Sequence, residues 1–444
     1  MIRLTAPSNI IKANIAISGS KSISNRLLIL KEALNLDITF QNISNSEDTL
    51  LLERAIEQIK NKKQATIDVQ HAGTDMRFLT ALLATKEGQW TITGSERMKE
   101  RPIGELIHAL RLLGADISYL EKENFPPLLI KGKKLKGGEI EIDSSVSSQF
   151  VSALLLIAPS LEKGLNLTLK RKTVSRPYID MTIELIKSLG ITITQKEDLI
   201  SITPSSIFHH TPDSYRDYIS IESDWSSASY WYSICALTGN AEIELSSLNK
   251  KSSQADSILP EIYKNLGVKT TFEENTIVLH SIKPTLSEFT YDFTDCPDIA
   301  QTIAVTCLGL GIKINFTGLS TLKVKETDRV IALKNELEKF GAVVEIGNDF
   351  LKVISYKLEV KRLVNESLTN NPITNNVSPN NSITNNLITY NVSTYNDHRM
   401  AMSFAPLASV FTGLCIENHS VVDKSYPAFW EDLKSVGFNV NLQP

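Results

Sequence analysis

The chain has no long apolar run. None of its 444 residues lie in a stretch of the roughly 20 apolar residues needed to cross a bilayer. The opening residues, MIRLTAPSNIIKANIAISGSK, hold no apolar segment of signal-peptide length. A helical membrane protein is excluded on this pattern, and the cytoplasm is the expected compartment. Cysteine is scarce as well. Cys235, Cys296, Cys307 and Cys415 show no CxxC spacing, and three of them fall inside apolar helical stretches. A disulfide scaffold is therefore not expected, and the thiols should be buried and reduced. Cys296 stands at a helix start beside Asp298, and it too is expected to be inert. No His/Cys/Asp cluster has metal-ligand spacing. Nor is there a marked excess of one charge: 46 Lys and Arg face 50 Asp and Glu, a net charge of −4. That balance argues against a nucleic-acid binder and against a protein of the membrane surface.

What the chain does have is a two-helix unit that occurs six times. The first helices read GSKSISNRLLIL from Gly19, AGTDMRFLTALLA from Ala72, SVSSQFVSALLLIAP from Ser145, SDWSSASYWYSICAL from Ser223, DCPDIAQTIAVTCLGL from Asp295 and NDHRMAMSFAPLASVF from Asn396. Hydroxyl, Asp or Asn residues open each one and are expected to cap it. Each then turns apolar on all faces, which predicts burial on all sides. About thirty residues later comes an amphipathic second helix, starting near Ser46, Arg101, Arg176, Asp256, Lys325 and Tyr426. Five of these six end in glycine, a helix-stop signal. Short alternating segments between the helices, such as TIDVQ, GEIEI, AEIEL and VVEI, read as strands. Each unit of about 75 residues is then helix, strand, helix and further strands, which makes an α/β protein of two similar halves.

The helix starts carry an unusual charge pattern. Lys21, Arg26, Arg77, Arg101, Lys325, Arg329 and Arg399 gather at helix starts. A helix N-terminus already bears partial positive charge, so cations there cost stability unless an anion is bound. The pattern predicts a site for an anionic small molecule.

One segment breaks the repeat. Asn365 to Asn391 contains ten asparagines, with NN pairs every five residues from Asn370. Such sequence cannot bury enough apolar surface to fold alone, and it is expected to be a mobile insertion at a hairpin tip.

Ten short motifs follow one another in order. They are GSKSISNR at 19–26, AGTDMR at 72–77, RMKERPIG at 97–104, VSSQF at 146–150, SRPYID at 175–180, SDWSSASY at 223–230, PD at 297–298, VKETDR at 324–329, YNDHRMAM at 395–402 and the segment around Lys424. Their order and spacing closely resemble the 5-enolpyruvylshikimate-3-phosphate synthase family along nearly the whole chain. The resemblance implies two domains, each of three βαβαββ units with buried parallel helices, an inside-out α/β barrel. Here these would be 20–221, and 1–19 together with 222–444, with helix starts directed into an interdomain cleft. It also implies transfer of the enolpyruvyl group of phosphoenolpyruvate to the 5-hydroxyl of shikimate 3-phosphate, by a monomer that needs no metal and no cofactor.

Residue by residue, the resemblance assigns Lys21, Ser22, Arg26, Ser147, Ser148, Gln149, Ser175, Asp298, Thr321 and Lys325 to shikimate 3-phosphate. It assigns Lys21, Gly73, Arg101, Gln149, Arg329, Arg399 and Lys424 to phosphoenolpyruvate. Asp298 matches the proton acceptor at the hydroxyl, Glu326 the group proposed to protonate the methylene carbon, and Lys21 is grouped with them as catalytic. The serines can cap helices and bind phosphate at once, the two carboxylates could equally be plain first-turn acids, and His398 is either a hydrogen-bond partner or an acid. Arg77 reads better as a surface ion pair. His71, Asp75, Phe78, Thr321 and Leu322 depart from the family pattern. The family also implies inhibition by glyphosate beside Gly73. Two other readings are UDP-N-acetylglucosamine enolpyruvyl transferase, which usually has asparagine where Ser22 stands, and a non-catalytic binding module, which would have shed some of these charges.

Overall fold

A computed structural model describes residues 1–171, 173–205, 218–356 and 389–443. The chain divides into two compact units. One comprises residues 18–224 and 251–255; the other comprises 1–17, 225–250 and 256–444.

All six two-helix repeats are present. The first helices are α1 (Lys21–Leu34), α3 (Gly73–Thr85), α5 (Ser148–Ile157), α7 (Trp225–Thr238), α9 (Ala300–Leu310) and α11 (His398–Phe404). The second helices are α2 (Glu47–Asn61), α4 (Gly104–Leu112), α6 (Arg176–Ser188), α8 (Leu259–Leu266), α10 (Arg329–Lys339) and α12 (Phe429–Ser435). The all-round apolar pattern has the expected result: every residue of α9 and of α11 is buried. Within each unit the three first helices pack against one another. The five glycines after the second helices, Gly114, Gly190, Gly267, Gly341 and Gly437, have φ between 80° and 103°. A side chain at any of them would cost about 1 kcal/mol or more, which is why the stop signal was readable.

The capping expectation is only partly met. Ser147 and Asp397 accept hydrogen bonds from the main chain of α5 and α11. Ser20 makes no such bond, α3 starts after Ala72, and a 3-10 turn at Pro297–Ile299 puts Ile299 at the cap of α9.

Each repeat builds a small open sheet with one layout. In the second repeat Gln64–Asp68 runs parallel to Gly88–Thr93 across α3, and a hairpin of Asp116–Tyr119 and Leu128–Gly132 adds antiparallel to it after α4. The third and fifth repeats copy this order with contiguous strands. The fourth takes its first strand, Ile11–Ile15, from the N-terminus, where it pairs parallel with Ala241–Ser246. The sixth takes Ile2–Thr5, which lies antiparallel between Leu414–Ile416 and Asn439–Leu442. The first repeat is the exception: among the described residues it pairs only Thr39–Gln41 with Tyr218–Ser220. No sheet among the described residues closes into a hydrogen-bonded barrel.

Most of the asparagine-rich segment, through residue 388, lies outside the described residues. Its end is corrected: Tyr390–Val392 is a strand parallel to Leu414–Ile416, and Tyr390 stacks on Phe340 at 4.7 Å between ring centres. The described strands on either side, Leu351–Tyr356 and Tyr390–Val392, belong to different sheets, and the expected mobile hairpin tip falls on residues outside the described ones. All four cysteines are buried and free. Burial, with Asp256 nearby, pushes the Cys296 thiol far up, so it is no nucleophile. No helix among the described residues is long and apolar enough to cross a membrane.

Candidate functional site

Two groups of charged and hydroxyl side chains form at helix starts, one in each unit.

In the unit containing both chain ends, the group centres on Arg329, the first residue of α10. Asp328 before it caps the helix through the amides of Val330 and Ile331, which sets the angle at which Arg329 leaves the chain. Arg329 is 2% exposed and faces three carboxylates. Its Nε and Nη2 meet Asp397 at 2.6 and 3.2 Å, Nη1 meets Asp298 at 3.2 Å, and Nη2 meets Glu326 at 2.9 Å. Three further cations close around these acids. Arg399 reaches Asp298 at 3.1 Å, Lys325 reaches Asp298 at 3.4 Å and Lys424 reaches Glu326 at 2.8 Å. Arg399 also donates to Ser226 Oγ at 3.4 Å, and Ser226 is hydrogen-bonded to the buried Asp256.

Four cations and three carboxylates thus share one nearly buried network. This corrects the expectation that the cations destabilise the empty protein: its own acids neutralise all but one of the positive charges. The electrostatic consequence is largest at Asp298. Burial alone would raise its pKa, but Arg399, Lys325 and Arg329 outweigh burial and the repulsion of Glu326, holding the carboxyl well below the usual range. Arg329 is pushed the other way: burial opposes its charge, yet Asp397, Glu326 and Asp298 raise its pKa. Thr321 lies in the 3-10 turn Ser320–Val324 just before Lys325, with its hydroxyl covered and unpartnered.

In the other unit the starts of α1, α3 and α5 are tied together. Asn25 donates to Asp75 at 2.8 Å, and Gln149 donates to Thr74 at 3.2 Å. Asp75 is fully buried against Asn25, so its charge is turned into the protein. Lys21, in the first turn of α1, pairs with Asp48 at 2.9 Å. Arg26 is 3% exposed, yet no carboxylate is among its partners. It donates to Thr182, to the carbonyls of Ser22 and Tyr178 and to Ser152, and it lies over the Phe78 ring. Burial lowers its pKa to about 10, so it stays charged and is held only by neutral acceptors. Ser22 is in the first turn of α1; Ser147, which caps α5, and Ser148 adjoin Gln149. Ser175 precedes α6 in a left-handed conformation, φ 51°, and its side chain makes no cap bond.

Arg77 is not a surface ion pair. It is 3% exposed and donates to the carbonyls of Gly73 and Pro102 at 3.0 and 2.9 Å, pinning the start of α3 to the loop that carries Arg101. The Arg101 guanidinium in turn lies against Gly73. His71 is hydrogen-bonded to Ser95 at 2.9 Å. The sequence showed the cations but not their carboxylate partners Asp48 and Asp397, nor Ser226, which links Arg399 to Asp256. Asp397 did leave a signal, an acid at a helix cap directly before His398 and Arg399.

A sequence model of the family described as EPSP synthase (3-phosphoshikimate 1-carboxyvinyltransferase) matches residues 5–433. A 3-phosphoshikimate 1-carboxyvinyltransferase of Bacteroides fragilis is 42% identical over 439 residues, covering 99% of this chain and 98% of the relative. One from Buchnera aphidicola is 34% identical over 463 residues, covering 98% and 97%. The solved EPSP synthase of Acinetobacter baumannii superposes with a TM-score of 0.72 over 99% of both chains at 20% identity, which speaks to the fold. With a match of that extent and relatives of that similarity, the chain belongs to the EPSP synthase family.

Proposed function

We infer that this chain transfers the enolpyruvyl group of phosphoenolpyruvate to the 5-hydroxyl of shikimate 3-phosphate and releases inorganic phosphate. The observation that carries the reading is the network in which Lys325, Arg329, Arg399 and Lys424 surround Asp298 and Glu326. Phosphoenolpyruvate carries a phosphate and a carboxylate, and planar guanidinium groups suit both. In this reading Arg329, Arg399 and Lys424 hold it, together with Gly73, Arg101, Gln149 and Lys21. Lys21, Ser22, Arg26, Ser147, Ser148, Gln149, Ser175, Thr321 and Lys325 hold shikimate 3-phosphate.

The chemistry then follows from an exchange of partners. A substrate anion competes for Arg399 and Lys424, which leave Asp298 and Glu326 with fewer cations. Loss of cations raises the pKa of a carboxylate, so substrate binding restores the basicity that Asp298 lacks in the empty protein. Asp298 takes the proton of the 5-hydroxyl as its oxygen adds to C2 of phosphoenolpyruvate, and Glu326 delivers a proton to C3. A proton then returns from C3 to Glu326 as the C–O bond to phosphate breaks, and the proton held by Asp298 passes to the departing phosphate, which restores both carboxyl groups. Lys21 completes the catalytic set. The protein acts as a cytoplasmic monomer in this reading, and sedimentation tests that last point.

The deciding assay is phosphate release from phosphoenolpyruvate with and without shikimate 3-phosphate. Release that depends on shikimate 3-phosphate is the expected result. Release only with UDP-N-acetylglucosamine would replace the acceptor, and no release with either would leave a binding module.

A further inference from the structure

Asp397 has no part in the reaction steps above, yet it touches both arginines of the anion site. Its side chain is fully buried. It takes the Nε–Nη2 edge of Arg329 in a two-pronged contact, and one of the same oxygens accepts from the Arg399 amide at 2.9 Å. A single carboxylate therefore grips the side chain of one arginine and caps the helix that carries the other. Asp298 and Glu326 differ from it: their side chains are 17% and 14% exposed, and besides Arg329 the first holds Arg399 and Lys325 and the second holds Lys424. An incoming anion can displace those two, but it cannot reach Asp397.

The turn before Asp397 is braced as well. Tyr395 and Asn396 both take left-handed backbone conformations, φ 53° and 56°, which persist only where surroundings enforce them. The Tyr395 hydroxyl and the Ser393 amide donate to the two oxygens of Glu336, a fully buried residue of α10, at 2.8 and 3.2 Å. Asn418 donates to Asn396 at 2.7 Å. The helix that begins with Arg329 thus holds the 393–397 turn at two points, Glu336 and Arg329.

We propose that Asp397 is a positioning residue that sets the separation and orientation of the Arg329 and Arg399 guanidinium groups, and so their joint grip on one substrate anion. The proposal rests on the reading of these arginines as the phosphoenolpyruvate site. Asn at 397 still caps a helix well, but its amide has one acceptor. With that acceptor in the place of the oxygen that serves both Arg329 Nη2 and the Arg399 amide, its NH2 group faces the Arg329 Nε–H, donor against donor, and the two-pronged contact is lost.

The test is steady-state kinetics of Asp397→Asn with both substrates varied, beside thermal unfolding. Loss of a charge-assisted bond should raise the KM for phosphoenolpyruvate at least about tenfold, while the KM for shikimate 3-phosphate stays within about twofold. If Asp397 acts through Arg329, adding Asp397→Asn to Arg329→Lys should cost much less than adding it to wild type. Should Asp397→Asn not fold, Asp397→Ser keeps a cap on the Arg399 amide and carries the same measurement. An unchanged phosphoenolpyruvate KM, equal rises in both KM values, additive effects with Arg329→Lys, or failure of both variants to fold would each overturn the proposal. Absence of wild-type turnover would instead overturn the reaction reading, so the two failures are distinct.

Discussion

Arg101 lays its guanidinium in the space that a side chain on Gly73 would fill. The missing side chain therefore makes room for one of the protein's own cations, at the start of α3, before it makes room for any ligand.

A methyl group at Gly73 should move Arg101 and so weaken every anion that Arg101 holds. Gly73→Ala is expected to raise the phosphoenolpyruvate KM and the glyphosate inhibition constant together, each by about tenfold, the loss of one charged hydrogen bond. Alanine suits a helix, so the melting temperature should stay within a few degrees. A rise in the inhibition constant alone would mean that Arg101 is not displaced and that the pocket itself is crowded.

Asp298→Asn and Glu326→Gln should each reduce kcat at least about a hundredfold, the usual effect of removing one acid–base group. Substrate KM values should change much less. Turnover within tenfold of wild type would remove that carboxylate from the mechanism.

The depressed pKa of Asp298 has a stability signature. A carboxyl whose pKa is lowered by folding stabilises the protein above its unfolded value, near 4, and this contribution fades as pH falls through the folded value. The stability gap between wild type and Asp298→Asn should therefore be constant from pH 7 to about 5 and shrink by about 1 kcal/mol near pH 3. Denaturant titrations at these pH values measure it. A gap that widens on acidification would contradict the cation-held carboxylate.

Arg77→Met should act on stability. It leaves the Gly73 and Pro102 carbonyls without their donor, at a cost of about 2 kcal/mol or more in urea unfolding. A loss below about 0.5 kcal/mol would show that water replaces the guanidinium there.

Replacing residues 365–388 with a short Gly-Ser linker should leave melting temperature and activity nearly unchanged, because that composition has little to bury. Extending the deletion through Asn391 should cost about 1–3 kcal/mol, since it removes Tyr390 from its contacts with Phe340 and Phe411. Equal stability of the two deletions would mean that the Tyr390–Val392 strand is dispensable.

What could be read from the sequence was whatever depends on local chemistry. Buried helices such as Ala300–Leu310 announced themselves by composition, and the glycines at 114, 190, 267, 341 and 437 by a backbone angle other residues avoid. The cations of the candidate site were legible for the same reason, as charges out of place at helix starts. Their partners were not. Lys21 and Asp48 lie 27 positions apart and Arg329 and Asp397 lie 68 apart, and no spacing rule links residues that only the fold brings together. The caps failed at Ser20, whose side chain makes no cap bond, at the apolar Ala72, and at Ile299, where a 3-10 turn intervenes. Asp75 stands out in the sequence only as a departure from the family pattern, and it takes the fold to show it fully buried against Asn25.

The strand Ile2–Thr5 has a consequence for how the molecule is made. Ile2 stands opposite Ile416 on one side and Leu442 on the other, so this strand must wait for partners synthesised long after it. Until then its apolar residues Ile2 and Leu4 have no sheet to join. Pairings of such sequence separation close slowly, and they make the sheet of the sixth repeat a late one to form. Since that repeat also carries Asp397, Arg399 and Lys424, the anion-binding network is assembled among the last events of folding, and a chain released early lacks both the sheet and the charges it supports.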